Sequence, residues 1–209
     1  MAAEYARRLA DELEHKPFDR ALLDRFAAEV RGTGPVADVG CGPGHVAAYL
    51  HARGVDATGV DLSPGMVAEA RRRHPDIPFA VGDVTALDVP DESWAGALAF
   101  YSLIHLPRPE VTTALRELRR VVRPGGPLLL AFHIVPEVQH PAEVRHLDEL
   151  WGLPVSLDFV FFAPEEMRDY LEAAGFDVER CTERDPYPDV EAQTRRCYLV
   201  ARRPPEPRA

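Results

Sequence analysis

Val36-Ala37-Asp38-Val39-Gly40-Cys41-Gly42-Pro43-Gly44-His45 is the stretch that decides how the rest of the chain is read. A short apolar run ends in three glycines at alternate positions, and an amphipathic segment, Val46 to His51, follows at once. That order reads as a buried strand, a tight turn and a helix start. Glycine in such a turn lets backbone approach a ligand closely, because no Cβ intervenes. Free N–H groups at the helix start favour polar or anionic ligand groups.

Two more strand-like runs follow, and each ends in an acid. Ala57-Thr58-Gly59-Val60 leads to Asp61, which lies 21 residues after Gly40. A doubly wound fold places its ribose-binding carboxylate at about that distance. Phe79-Ala80-Val81-Gly82 leads to Asp83. Each acid alone has a plain reading, since Asp often ends strands and starts helices. Three acids (Asp38, Asp61 and Asp83) at three consecutive strand ends make a constellation. A dinucleotide site would more typically show G-x-G-x-x-G, whereas the spacing here is G-x-G-x-G.

Downstream, strand and helix patterns keep alternating. Ser63-Pro64 forms an N-cap and first-turn pair for a helix through Arg73. Trp94 to Phe100 is a small-apolar run expected at the sheet centre. Glu110 to Val121 places Val111, Leu115 and Leu118 at core spacing. Leu128 to Phe132, Phe176 to Cys181 and Thr194 to Ala201 read as the remaining strands. The rhythm gives a parallel sheet with helices on both faces, and ligands in such sheets bind outside the carboxyl ends of the strands.

Two segments stand apart from that rhythm. Residues 1–30 are a pair of helices broken at Pro17, read either as cover for a sheet edge or as a lid. Residues 133–163 are long for a plain connection, and their aromatics argue against disorder. They read as a short helix and then a strand or hairpin from Val155 to Phe162, covering the cleft. The chain is otherwise one domain over residues 1–209.

These residues together resemble the class I S-adenosylmethionine-dependent methyltransferases. The resemblance rests on Asp38 to Gly44, Gly59 to Met66, Gly82-Asp83-Val84 and Val121 to Gly126. It implies a Rossmann-like, doubly wound α/β fold with strand order 3-2-1-4-5-7-6, the last strand antiparallel. It implies S-adenosylmethionine as cofactor and S-adenosylhomocysteine as product. Backbone at Gly40 and Gly42, in the turn that also holds Cys41, would meet the methionine portion. Asp61 would accept from the ribose hydroxyls, with Leu62 and Met66 packed on the adenine. Asp83 would accept from the exocyclic amine, Val84 N–H would serve a ring nitrogen, and Phe100 backbone would help hold the ammonium. On the lid reading Tyr5 would pack near the sulfonium, and Lys16 or Arg20 would meet the carboxylate. Asp38 is read as an orienting acid behind the turn. Cys41 is read as packing rather than nucleophile.

In-line methyl transfer needs positioning, worth about 7–11 kcal/mol, more than the roughly 10²–10⁴-fold of a proton-transferring side chain. The cofactor site is therefore well marked in sequence and the catalytic residues are not. His105, just past the fourth strand, is the general-base candidate, with a structural histidine as the other reading. Tyr101, His133 and Phe161 are candidate acceptor contacts. Arg184, Tyr187, Arg195 and Arg196 face either the cleft or surface ion pairs. No metal is expected, because the histidines and the three cysteines lack ligand spacing.

Bulk composition is consistent with this. Net charge is −10, from 24 basic and 34 acidic residues. That disfavours a nucleic-acid partner, whose phosphates need Lys and Arg. No membrane span or signal peptide is read, and unpaired cysteine spacing suits a cytoplasmic setting. A small-molecule acceptor is the expected partner. A homodimer, O- or N-methylation, a nicotinamide-dependent oxidoreductase and a non-catalytic regulatory protein that binds the same cofactor all stay open.

Overall fold

The computed structural model describes residues 1–134 and 144–206. Five parallel strands form the centre: β1 (Val36–Val39), β2 (Ala57–Asp61), β3 (Phe79–Val81), β4 (Gly96–Phe100) and β5 (Pro127–His133). Helix α3 (His45–His51) joins β1 to β2, α4 (Pro64–Arg73) joins β2 to β3, and α5 (Arg108–Val121) joins β4 to β5. A two-stranded hairpin, β6 (Val144–Leu150) and β7 (Leu153–Val160), follows β5. Then come α6 (Pro164–Ala173), β8 (Asp177–Arg184) and β9 (Arg196–Arg202). The main sheet runs β3-β2-β1-β4-β5-β9-β8, with β9 antiparallel to both neighbours. With the hairpin set aside, this is the 3-2-1-4-5-7-6 order that the resemblance implied.

Alternation along the strands builds two apolar layers. Ala97 and Ala99 of β4, with Leu128 and Leu130 of β5, turn to α5 and α6, where Val111, Leu115, Leu118, Met167 and Leu171 meet them. Leu98, Leu129 and Ala131 turn the other way, to Leu23, Phe26 and Val30 of α2 (Pro17–Val30) and Leu50 of α3. Both faces are dry, which is why β4 and β5 read as near-continuous apolar runs. Ser63 caps α4 by accepting the Met66 N–H at 3.3 Å, and Pro64 occupies the first turn.

The structure departs from the sequence reading in the two outlying segments. Helix α1 (Ala2–Arg8) stops before Leu9, and a 3₁₀ turn over Glu12–His15 carries Leu13 into the core. Tyr5, Leu9 and Leu13 therefore do not share one helix face. In the insert, β6 occupies part of the stretch expected to be helical, and residues 135–143, with His140, lie outside the described residues. The hairpin turn is Trp151-Gly152, both with positive φ, 55° and 77°. A two-residue turn of that kind matches strand twist but usually carries Asn-Gly, so its sequence signal is weak. No described helix is long and apolar enough to cross a membrane.

Leu115 is fully buried between α5 and the sheet. Leu115→Ala should lower unfolding free energy by about 2–5 kcal/mol, read as a shifted urea midpoint at unchanged slope.

Candidate active site

Parallel pairing of β1, β2 and β3 brings Gly40, Asp61 and Asp83 to one edge of the sheet, and β4 delivers Tyr101 and the 3₁₀ turn Leu103–His105 to the same edge. The glycine turn is tied to β2. Gly40 and Cys41 N–H both donate to the Val60 carbonyl, at 2.7 and 3.0 Å. Gly42 N–H donates to Asp61 Oδ2 at 2.7 Å, and Ser63 N–H to Asp61 Oδ1 at 2.8 Å. Each carboxylate oxygen accepts more than one hydrogen bond, so Asp61 keeps capacity for hydroxyl donors.

The glycines divide by what they meet. Gly40 has φ +74°, and a Cβ there would collide with Ser102 Cβ, so its smallness serves packing in the first place. Gly42 has φ +52°, and the nearest atom to its Cβ position is Tyr5 Cε1 at 4.0 Å. The cradle thus opens at Gly42, with the Tyr5 ring above it. Ser102 Oγ is buried beside Gly40 and has no hydrogen-bond partner among the described residues. Leu62 is 68% exposed next to Asp61, Val81 is 52% exposed, and Met66 is half-buried. Asp83 accepts from Thr85 N and Thr85 Oγ1 through Oδ1, at 2.8 and 2.7 Å, and these bonds lower its pKa. Val84 is half-buried beside it. An orphaned hydroxyl, a carboxylate with spare lone pairs and an exposed Leu62 fit a nucleoside with a polar amino-acid arm.

The structure places two residues of the sequence reading away from the cleft. The Cys41 side chain is 3% exposed and packs with Ala47, Val67, Ala70, Ile77 and Phe79, and burial pushes its thiol pKa up. It therefore lines the core behind the turn, not the cleft. Lys16 is 4% exposed and paired with Glu12 and with Glu191, the latter at 3.3 Å, so its ammonium is already committed to carboxylates. Burial pushes the Glu12 carboxyl up, but His45 and Lys16 beside it bring its pKa down to about 2. Arg20 lines a cavity of about 410 Å³ between the N-terminal segment, α3 and the end of α4, which none of Asp61, Asp83 or His105 lines.

On the acceptor side, His105 Nδ1 lies 2.8 Å from the Asp158 carbonyl oxygen. A carbonyl only accepts, so Nδ1 carries the proton and Nε2 is the bare, basic nitrogen. Burial lowers the His105 pKa, against the raising effect of Asp158 and Asp61, so the ring is neutral near pH 7. Its ring stands edge-on to Phe159 at 4.8 Å. Tyr101 sits at φ +56°, an uncommon backbone region for a bulky residue. Its ring packs on Phe100 at 5.2 Å and His133 at 5.1 Å, and His133 faces Phe161 at 6.1 Å. Burial, with Arg196 and Lys16 nearby, lowers the His133 pKa to about 3. His133 Nδ1 is 2.8 Å from Thr194 Oγ1.

Beneath Tyr101 lies a polar network that sequence reasoning only half anticipated. Tyr198 donates to Asp19 Oδ1 at 2.8 Å, so the Tyr101 hydroxyl donates to Tyr198, also at 2.8 Å. Arg184 reaches Asp19 at 2.7 Å, Tyr198 at 3.0 Å and Glu191 at 2.5 Å, and Arg196 meets Glu191 at 3.0 Å. The Tyr187 hydroxyl accepts Phe18 N–H at 3.1 Å. Arg195 pairs at the surface with Glu183 and Asp185. Asp19 and Tyr198 were the missed members. Their signals, an acid in an apolar helix face and a Tyr in a core strand, are faint. Among the described residues no three His, Cys, Asp or Glu side chains converge as a metal site.

A family model described as a methyltransferase domain matches residues 36–126. A demethylmenaquinone methyltransferase from Beutenbergia cavernae is 40% identical over 153 residues, covering 73% of this chain and 62% of that protein. A trans-aconitate 2-methyltransferase from Methylobacterium nodulans is 36% identical over 146 residues, 68% of this chain and 52% of that protein. Residues 36–126 are a methyltransferase domain. The fold agrees: a methyltransferase structure from Methanosarcina mazei superposes with a TM-score of 0.74 at 16% identity, covering 86% of this chain and 97% of that one. This methyltransferase domain spans 62% and 52% of the two relatives' lengths, and their names give different acceptors.

Asp38 is buried behind the turn, accepting Ala47 N–H at 3.2 Å, and burial raises its pKa to about 7. A carboxyl that binds its proton more tightly when folded loses stability for the fold as pH rises from its unfolded value of about 3.9 through 7. Asp38→Asn, which keeps an acceptor for Ala47, should flatten that decline. Unfolding curves from pH 4 to 8 should show the variant gaining on the parent toward pH 8, by up to a few kcal/mol.

Proposed function

We propose that this chain transfers a methyl group from S-adenosylmethionine to an oxygen or nitrogen of a small-molecule acceptor, with His105 as general base. The observation that carries the reading is His105 itself. A neutral imidazole, its tautomer set by the Asp158 carbonyl, presents basic Nε2 at the strand edge that also holds the glycine turn and Asp61.

When bound, the cofactor supplies a methyl already activated for displacement from sulfur. The chain's residues would do the rest. Asp61 would receive the ribose hydroxyls while it anchors Gly42. Leu62 and Met66 would cover the adenine, and Asp83 and Val84 would mark its polar edge. Ser102 Oγ and backbone at Gly40, Gly42 and Phe100 would serve the amino-acid arm. Residues 1–30 act as the lid, through Tyr5 over Gly42. The β6–β7 hairpin would cover the acceptor, which Tyr101, His133 and Phe161 border. Nε2 of His105 takes the acceptor's proton as its nucleophile bonds to carbon, and Nδ1 keeps its own proton on Asp158. Exclusion of water by the lid and the hairpin preserves the line of attack, the larger share of the rate.

Asp61→Ala should weaken S-adenosylmethionine binding by on the order of 10- to 100-fold in calorimetry, the worth of losing charged hydrogen bonds. Unchanged affinity rejects the assignment. His105→Ala should lower methyl transfer about 10²- to 10⁴-fold while cofactor affinity stays within threefold (about 0.6 kcal/mol). Turnover that stays within a few-fold would leave positioning alone as the source of rate.

A further inference from the structure

The β6–β7 hairpin has two unlike faces. One carries His146 and Asp158, hydrogen-bonded across the strands at 2.6 Å and both exposed, with Ser156. The other carries Leu147 opposite Leu157, Leu150 opposite Leu153, then Val155 and Phe159. All six are half-buried, and only Phe159 packs against a core cluster. Among the described residues the one charge on this face is Arg145, opposite Phe159 and exposed.

The apolar face belongs to the cleft. Phe159 meets His105, and Phe161, the next residue of the same parity, faces His133. At the far end the Trp151 ring lies 5.6 Å from Tyr5 and 4.7 Å from the Arg8 guanidinium, so the hairpin is held to the lid as well. Fixed at both ends, it presents a run of aliphatic side chains between the base candidate and the lid. From Leu153 to Phe161 that run is about 26 Å at strand rise. A single ring would touch only Phe159 and Phe161. A second copy of the chain would have to break the Trp151–Tyr5 contact to reach the rest, and a charged or peptide acceptor would leave its polar groups unpaired there.

We infer that the acceptor carries an elongated hydrocarbon tail, which lies under the hairpin along Phe159, Leu157, Val155 and Leu153 while its nucleophilic head sits at His105. This rests on the methyltransferase reading and specifies its substrate class.

The test uses 4-alkylphenols with butyl, hexyl and octyl chains, titrated into the chain saturated with S-adenosylhomocysteine. Fluorescence of Trp151 is the readout, Trp94 being buried and away from the hairpin turn. Affinity should rise about three- to fourfold per methylene, the transfer free energy of one CH₂ group, hence roughly a hundredfold from butyl to octyl. Leu157→Asp should abolish the dependence on chain length. Should that hairpin fail to form, Val155→Thr, nearly isosteric, should cut octylphenol affinity about threefold and leave phenol unchanged. Equal affinity for all chain lengths in the parent overturns the inference. So does a dimer that Leu157→Asp converts to monomer, which would name a second copy as the occupant. Calorimetry of S-adenosylhomocysteine alone is read separately: no binding there rejects the methyltransferase reading, whereas binding with flat alkylphenol affinities rejects only the tail.

Discussion

Asp61 accepts the Gly42 and Ser63 N–H groups at 2.7 and 2.8 Å, and in doing so fixes the glycine turn against the start of α4. Two turns from two different strand–helix units are held by one carboxylate. The adjoining Val60 carbonyl adds bonds from Gly40 and Cys41. The geometry of the cleft floor thus follows from the last two residues of β2. A buried or partly buried carboxylate that accepts several backbone N–H groups is charge-assisted at each of them. It also holds negative charge at the place where neutral hydroxyl donors are most readily captured.

The opposite wall is organised by a different device. Asp19 on α2, Arg184 on β8, Glu191, and Tyr198 and Arg196 on β9 form a network that is largely shielded from water. Bringing such charges out of water costs several kcal/mol per ion, recovered only with good geometry and saturated hydrogen bonds. What the network supplies is orientation. It fixes the Tyr198 hydroxyl, which receives the Tyr101 hydroxyl, and Tyr101 holds its ring between Phe100 and His133 in an uncommon backbone conformation. The N-terminal segment is thereby joined by ion pairs to β8 and to Glu191, and by the Asp19–Tyr198 hydrogen bond to β9, rather than by apolar packing alone.

The central fold was legible because its signals are local. Gly40 to Gly44, the Ser63-Pro64 cap and the apolar run ending at Phe100 each report their own backbone. Strand order came from the resemblance, since periodicity alone cannot order a sheet. The hairpin was half seen, because Trp151-Gly152 is a rare composition for its turn and the half-buried alternation of β7 is weaker than that of a core strand. In the site, Asp61 and His105 were visible from strand ends. That Lys16 is spent on Glu12 and Glu191 could not be read, because its buried position depends on Glu191, which is distant in sequence. The loop glycines carried a mixed message: at Gly40 the demand for smallness comes from Ser102, not from a ligand.

The contact between Trp151 and Tyr5 joins the tip of the hairpin to the first helix. Movement of either element would have to break this contact or carry the other element with it. On the proposed function, entry for an acceptor and exchange of a spent nucleoside would then be one gating event, held by a single latch.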